Sequence, residues 1–80
     1  MTKVTVFGTT WCGFCHAAKN YFDKIGVKYK DVDIEQDQAA ANFIVEKTKQ
    51  MGVPVIQIDD EFIVGFDRAK IDQLLKNNNS

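Results

Sequence analysis

Two cysteines three positions apart, Cys12 and Cys15, are the residues of this chain best suited to chemistry, and His16 follows them directly. A C-x-x-C pair can exchange electrons through its thiols, contribute ligands to a metal or, when a histidine comes next, carry an attached haem. The chain has two cysteines and one histidine in all. The choice among these chemistries therefore depends on the elements that position this segment.

A helix that begins near Cys12 would give the two cysteines different chemistry. Amides and the dipole at a helix N-terminus favour a thiolate, which would make Cys12 the nucleophile. Cys15, one turn further on the same face, would lie within disulfide reach but be more shielded. In thiol exchange, Cys12 attacks a substrate disulfide and Cys15 then displaces the reduced product. A second reductant must restore the dithiol.

Composition argues against several other classes of function. Eighty residues make one small domain, 1–80. Ten basic and eleven acidic residues nearly cancel, so no electrostatic footprint indicates nucleic-acid or membrane partners. No apolar run approaches the ~20 residues of a membrane span, and the N-terminal segment does not match a signal peptide. We therefore expect a cytoplasmic protein, with a disordered polar tail at 77–80.

Hydrophobic periodicity predicts the element order βαβ, α, ββ, α. A strand, crossover helix and strand imply a right-handed parallel unit, whereas the closing hairpin must be antiparallel. The sheet should thus be mixed, with helices covering it. The predicted strands are 3–7, 27–34, 55–58 and 62–64, and the predicted helices run from near residue 12 to Gly26, over 39–48, and onward from an N-cap at Asp67.

This order, together with three motifs, resembles the glutaredoxin family. The motifs are C-x-x-C after the first strand, Val53-Pro54 before the third, and Gly65-Phe66-Asp67 before the last helix. A C-x-x-C alone is a weak signal, but its position after the opening strand of a βαβ unit, paired with a distant Val-Pro, is a strong one. The resemblance covers essentially the whole chain. It implies an α/β, thioredoxin-like fold, with four mixed strands flanked by three helices.

The resemblance also implies a function. It implies a thiol-disulfide oxidoreductase that reduces protein disulfides and glutathione mixed disulfides, with Cys12 and Cys15 catalytic, glutathione as reducing co-substrate and no metal. Its partners would be disulfide-containing or glutathionylated proteins. Pro54 would be cis and face Cys12, leaving the Val53 backbone to pair with a bound peptide. The implied glutathione-binding residues are Phe14, Val53, Pro54, Phe66 and Asp67.

The chain departs from the family pattern beside the cysteines. Thr9 stands where glutaredoxins usually place Lys or Arg to aid the thiolate and the ligand carboxylate. Phe14 replaces a tyrosine, and Gly52 replaces the Thr of Thr-Val-Pro. Lys49 or Gln50 could supply the carboxylate contact instead. These departures bear on glutathione binding more than on the fold.

Two segments also resemble other redoxins. Residues 64–66, Val-Gly-Phe, are similar to the Ser-Gly-Phe of redoxins that feed ribonucleotide reductase and accept electrons from thioredoxin reductase. Residues 11–13, Trp-Cys-Gly, are similar to thioredoxin itself. The electron donor is therefore either glutathione or a flavin disulfide reductase.

Other interpretations of the cysteine pair are haem attachment, iron–sulfur binding, zinc binding and an inert pair in a binding protein. Haem attachment needs export, and a haem pocket would displace the core. Single-thiol glutaredoxins that bridge a cluster have serine where this chain has Cys15, and a second thiol favours a disulfide. Structural zinc needs four ligands. A dithiol oxidoreductase remains the leading hypothesis.

Four neighbouring side chains carry separate expectations. Phe14 should be exposed where a substrate docks, and His16 should lie on the exposed side of the helix. Lys19 should be a solvated surface charge. Trp11 is either a recognition surface beside the thiol or partial core.

Overall fold

The computed structural model describes residues 3–50 and 52–78, with the backbone alone at 77 and 78. Helix α3 extends to Asn78, and the rest of the predicted tail, 79 and 80, lies outside the described residues. Within these ranges no helix has the length and apolar character that crossing a bilayer requires. The elements are β1 (Val4–Gly8), α1 (Gly13–Lys24), β2 (Lys30–Asp33), α2 (Gln38–Thr48), β3 (Val55–Ile58), β4 (Glu61–Val64) and α3 (Arg68–Asn78).

The sheet is mixed, as predicted, and its strand order is β2-β1-β3-β4. Strand β1 pairs in parallel with β2 and antiparallel with β3, with Val6 opposite Asp31 on one side and Ile56 on the other. The hairpin partner β4 lies antiparallel to β3. The four strands and three helices confirm the predicted thioredoxin-like architecture.

The side chains of β1 alternate between two cores because successive residues of a strand point to opposite faces. Val4 and Val6 join a large cluster with Phe22 of α1 and Ile71 of α3. Phe7 joins a smaller cluster on the other face, which includes Ile44 of α2 and Val55 of β3. Helices α1 and α3 therefore cover one face of the sheet, and α2 covers the other.

Strand β2 is shorter than predicted because its first residues close the preceding helix. Gly26 has φ 74°, a conformation that glycine adopts without strain. Its amide donates to the carbonyl of Asp23, and the amide of Val27 donates to that of Phe22 at 2.9 Å. These two bonds form a Schellman cap. Val27 and Tyr29 still pack against the core, but from the connection.

Candidate functional site

Cys12 is the N-cap of α1, and its side chain has the role that serine or aspartate usually takes. Its backbone is extended, with φ −84° and ψ 114°. The amide of Cys15 donates to Cys12 Sγ at 3.2 Å, and the amide of Cys12 donates to the carbonyl of Thr9 at 3.4 Å. The helix therefore begins directly after Cys12, as predicted. Its positive end lies at the sulfur.

The two thiols differ in accessibility. Both cysteines are free, and Cys12 is 7% exposed whereas Cys15 is 1% exposed. Cys15 is covered by the end of β1, because a Cβ placed on Gly8 would lie 2.5 Å from Cys15 Sγ. A substrate can thus reach Cys12 first, and Gly8 leaves the space that the Cys15 sulfur occupies.

Burial also makes Cys15 hard to ionise. Desolvation, followed by the hydrogen bond with Cys12, raises the pKa of Cys15 from 9.0 to about 11. A neutral thiol is the form that a desolvated site favours. Cys15 therefore keeps its proton in the reduced protein at neutral pH.

This raised pKa predicts a loss of stability in alkali. Between pH 9 and 11 the unfolded chain loses the Cys15 proton while the folded chain keeps it. The free energy of unfolding that Cys15 contributes is therefore fully present below pH 9 and is lost as the pH rises to about 11. We expect a loss of about 2 kcal/mol, allowing for solvent screening. Urea unfolding of the reduced protein at pH 8 and 11 measures it, with Cys15→Ala as the control for other titrating groups. An equal loss in the variant would contradict the assignment to Cys15.

Exposed aromatic side chains lie on both sides of Cys12 in the chain. Trp11 is 71% exposed and Phe14 is 69% exposed, so Phe14 is exposed as predicted and Trp11 is surface and not core. The indole Nε1 of Trp11 donates to Glu35 Oε1 at 2.9 Å. His16 is exposed, as predicted, and its Nε2 donates to the carbonyl of Thr10 at 2.8 Å. Two side-chain bonds thus hold this segment.

Lys19 is not the solvated charge that the sequence predicts. Its Nζ lies 3.1 Å from Asp31 Oδ2, and its side chain is only 18% exposed. The pair joins α1 to the neighbouring strand β2, which the pattern of α1 alone could not reveal. Among the smaller influences on Cys15, the charge of Lys19 lowers the pKa.

The Val53-Pro54 segment shares a groove with the residues that precede Cys12. The peptide bond between these residues is cis, as the resemblance implied, and Pro54 is buried. The carbonyl of Pro54 accepts a hydrogen bond from the amide of Gly65 at 2.8 Å, which joins this segment to the approach to α3. Val53, together with Thr9 and Trp11, lines a groove of about 330 Å³.

Comparison with known proteins agrees with this arrangement. The family model described as Glutaredoxin matches residues 4–63, which include both cysteines, Val53 and Pro54. The chain belongs to the glutaredoxin family. An uncharacterized glutaredoxin-like 8.6 kDa protein in the rubredoxin operon of Clostridium pasteurianum is 34% identical over 73 residues, which span 91% of this chain and 97% of that protein.

Two solved structures resemble this glutaredoxin-family protein. The thioredoxin-like protein BC3987 superimposes with a TM-score of 0.84 at 30% identity, over 91% of this chain and 100% of the other. A buckwheat glutaredoxin–glutathione complex superimposes with a TM-score of 0.79 at 26% identity, over 98% of this chain and 80% of the other. The solved structures similar to this chain therefore include a protein described as thioredoxin-like and a glutaredoxin crystallised with glutathione.

Phe66 and Asp67 of this glutaredoxin-family protein lie at the start of α3. The Phe66 ring is half-buried and packs on Tyr21 of α1, with ring centroids 5.9 Å apart. Asp67 Oδ1 accepts a hydrogen bond from the amide of Lys70 at 3.2 Å, which confirms the predicted N-cap. The roles of both residues in glutathione binding stay a prediction.

Sequence reasoning missed two contributions to the site. The predicted strand 3–7 stops before Gly8, although Gly8 ends β1 and borders the Cys15 sulfur. Glu35 had no expected role, although it holds Trp11. A glycine directly before the turn to C-x-x-C could have indicated the role of Gly8. No local pattern indicates the role of Glu35. In the described part of the chain, no group of three or more His, Cys, Asp or Glu side chains could hold a metal.

Proposed function

We propose that this protein is a glutathione-dependent thiol–disulfide oxidoreductase of the cytoplasm, which reduces protein disulfides and glutathione mixed disulfides. The observation that carries the proposal is the asymmetry of the dithiol. Both cysteines are buried, but Cys12, whose Sγ is the N-cap acceptor, keeps 7% of its surface exposed, whereas Cys15 keeps 1%. An accessible sulfur at a helix N-terminus suits nucleophilic attack, and a covered sulfur one turn away suits resolution.

The proposed reaction has two exchange steps. The Cys12 thiolate attacks one sulfur of the substrate disulfide, the substrate S–S bond breaks, and the departing thiolate takes a proton. Cys15 loses its proton, attacks Cys12 Sγ in the mixed disulfide, and releases the second substrate thiol. The substrate is reduced by two electrons and the Cys12–Cys15 pair is oxidised. Two molecules of glutathione then reduce the pair and leave as glutathione disulfide.

Formation of the mixed disulfide would itself help the second step. In the reduced protein, the hydrogen bond with Cys12 and the Coulombic effect of Cys12 both raise the pKa of Cys15. Both effects weaken when Cys12 Sγ is bonded to substrate and carries no charge, so the pKa of Cys15 falls. Cys15 then ionises more easily at the moment when its thiolate is needed.

Glutathione would bind across the two segments that meet beside Cys12. Val53 would offer its backbone groups to the ligand, with Pro54 underneath and Phe14, Phe66 and Asp67 around them. The bond from Gly65 to the Pro54 carbonyl supports a single continuous surface here, and the buckwheat relative was crystallised with glutathione. The Asp67 carboxylate could meet the glutathione amine.

A second candidate is a redoxin that a flavin disulfide reductase reduces. The groove beside Cys12 favours it, because Thr9 stands at the wall where a basic residue would receive a glutathione carboxylate, and Glu35 lines the same groove. An acidic wall disfavours an anionic ligand. The thioredoxin-like relative at 30% identity fits this candidate.

The Cys15→Ser variant tests the proposed roles. We expect it to keep at least about one-tenth of the turnover with a glutathionylated peptide, because glutathione itself can release Cys12 from a mixed disulfide. Dithiol reduction of a protein disulfide should fall by at least about a hundredfold, because that reaction needs an internal resolving thiol. NADPH oxidation coupled through glutathione reductase measures the first reaction, and insulin reduction measures the second.

The wild-type protein in the same assays decides the electron donor. Turnover with glutathione and glutathione reductase supports the glutaredoxin proposal. Turnover only with thioredoxin reductase supports the second candidate. Equal losses of both reactions in Cys15→Ser would contradict the assignment of Cys15 as resolving thiol.

A further inference from the structure

The groove next to the dithiol segment, which we call the Thr9 groove, has mostly apolar walls and three polar side chains, Thr9, Glu35 and Gln38. It has a volume of about 330 Å³ and lies between the dithiol segment and α2. Ile34, Ala41 and Val45 provide apolar surface. Val53, whose backbone is expected to pair with a bound peptide, also lines the groove. A long side chain could bury its stem here while its parent backbone passes Cys12.

The hydroxyl of Thr9 needs a partner that the described residues do not supply. Thr9 is 6% exposed, and its Oγ1 has no hydrogen-bond partner within the described ranges. A buried hydroxyl without a partner costs roughly 1–3 kcal/mol, so buried polar groups are nearly always satisfied. Because the oxygen itself is buried, a backbone amide or carbonyl of a substrate would reach it only after a small movement of the groove wall.

The charge of the groove is negative. Glu35 is the one ionisable residue among the described residues that line it. Its Oε1 accepts from Trp11 Nε1, which holds the carboxylate beside an indole that is 71% exposed. The carboxylate therefore lies at the N–H edge of the indole, where it would attract a cation that enters the groove through charge.

We propose that the Thr9 groove binds an arginine or lysine side chain next to the reacting cysteine of a polypeptide disulfide. This inference rests on the proposed thiol–disulfide activity and names its substrate class. The aliphatic stem would lie on Ile34 and Val45, and the cationic head would meet Glu35 and Trp11, since such side chains bury the stem and keep the head near water.

Peptide substrates that differ only next to cysteine test this inference. The probes are blocked pentapeptides, Ala-X-Cys-X-Ala, whose cysteine carries a nitrothiobenzoate disulfide, with X as Arg, Leu, Ala or Glu. The Cys12 thiolate bonds to the peptide sulfur, the probe S–S bond breaks, and the coloured nitrothiobenzoate thiolate leaves. Stopped-flow rates with the reduced protein are divided by the rates of the same peptides with dithiothreitol, which removes the intrinsic reactivity of each disulfide.

We expect the normalised rate for Arg to exceed that for Ala about fivefold and that for Glu about tenfold. Added salt should weaken the preference, because the carboxylate is accessible to solvent. Glu35→Gln keeps an acceptor for Trp11 but removes the charge, so its preference for Arg should fall to within about twofold. The matched control is Glu46→Gln on the exposed part of α2, which should keep the Arg preference.

Each other outcome overturns a stated claim. Normalised rates that do not depend on X, or an Arg preference that survives in Glu35→Gln, would overturn the cation site while leaving the oxidoreductase proposal in place. A preference for Leu would assign the groove to apolar side chains and overturn the inference equally. If the folded, reduced protein releases nitrothiobenzoate from no peptide, the proposed function fails, and the inference fails with it.

Discussion

Replacing Cys12 with serine should abolish disulfide reduction while leaving the fold intact. The hydroxyl can replace the sulfur as acceptor for the Cys15 amide, and serine is among the best N-cap residues. A serine hydroxyl does not form a nucleophile comparable to a thiolate at neutral pH. We expect turnover with a glutathionylated peptide to fall by at least about three orders of magnitude, with Tm equal to or above that of the reduced wild type.

The comparison needs a serine substitution that leaves the site untouched. Asn20→Ser lies on an exposed position of the same helix, and it should keep wild-type turnover in the coupled NADPH assay. Activity that survives in Cys12→Ser would show that another group begins the reaction. A large fall in Tm would instead show that the sulfur contributes structure that an oxygen cannot supply.

Replacing Gly8 with alanine should damage both stability and the second exchange step. The new Cβ would lie 2.5 Å from Cys15 Sγ and 3.0 Å from Cys15 Cβ, distances that force atoms to move. Overpacking of this kind costs about 1–3 kcal/mol, so Tm should fall by roughly 5–20 °C. A displaced Cys15 sulfur should also slow insulin reduction more than reduction of a glutathionylated peptide.

Two variants separate the close contact from a general effect of alanine. Gly13→Ala adds a Cβ with no heavy atom within 4 Å, in the first turn of α1, where alanine favours the helix. Its Tm should be unchanged or higher. The double variant Gly8→Ala/Cys15→Ala removes the Sγ, so its loss of stability should be smaller than the sum of the two single losses. Additive losses would show that the Gly8–Cys15 contact is not the cause.

The sequence predicts most of this fold because its elements carry local signals. Gly26 correctly marks the end of α1, and Asp67 correctly marks the start of α3. At both positions a cap supplies hydrogen bonds that the helix itself lacks. The predicted second strand begins too early because an apolar residue at Val27 fits two structures. It suits a strand, and it equally suits packing at a helix cap, which the sequence pattern does not distinguish. The amide of Val27 bonds within the cap and so is not free for a strand.

The site is less predictable than the fold because it combines distant segments. The spacing of Cys12 and Cys15 fixes their relation on one helix. By contrast, the Lys19–Asp31 and Trp11–Glu35 contacts join the first loop and helix to β2 and the turn that follows it. Charged and polar side chains carry no periodic signal that indicates such a partner. The family resemblance implies a substrate site beside the cysteines. It does not predict the acidic Thr9 groove, because Thr9 departs from the family pattern and no motif includes Glu35.

The edge strand β2 has a further consequence for the protein in concentrated solution. Three of its four residues, Lys30, Asp31 and Asp33, are charged, and its outer side is the open edge of the sheet beyond β1. Exposed edges invite pairing with other chains, and charged residues there discourage it. A like charge placed opposite in a second molecule would repel. The charges of strand β2 therefore disfavour edge-to-edge aggregation of the chain.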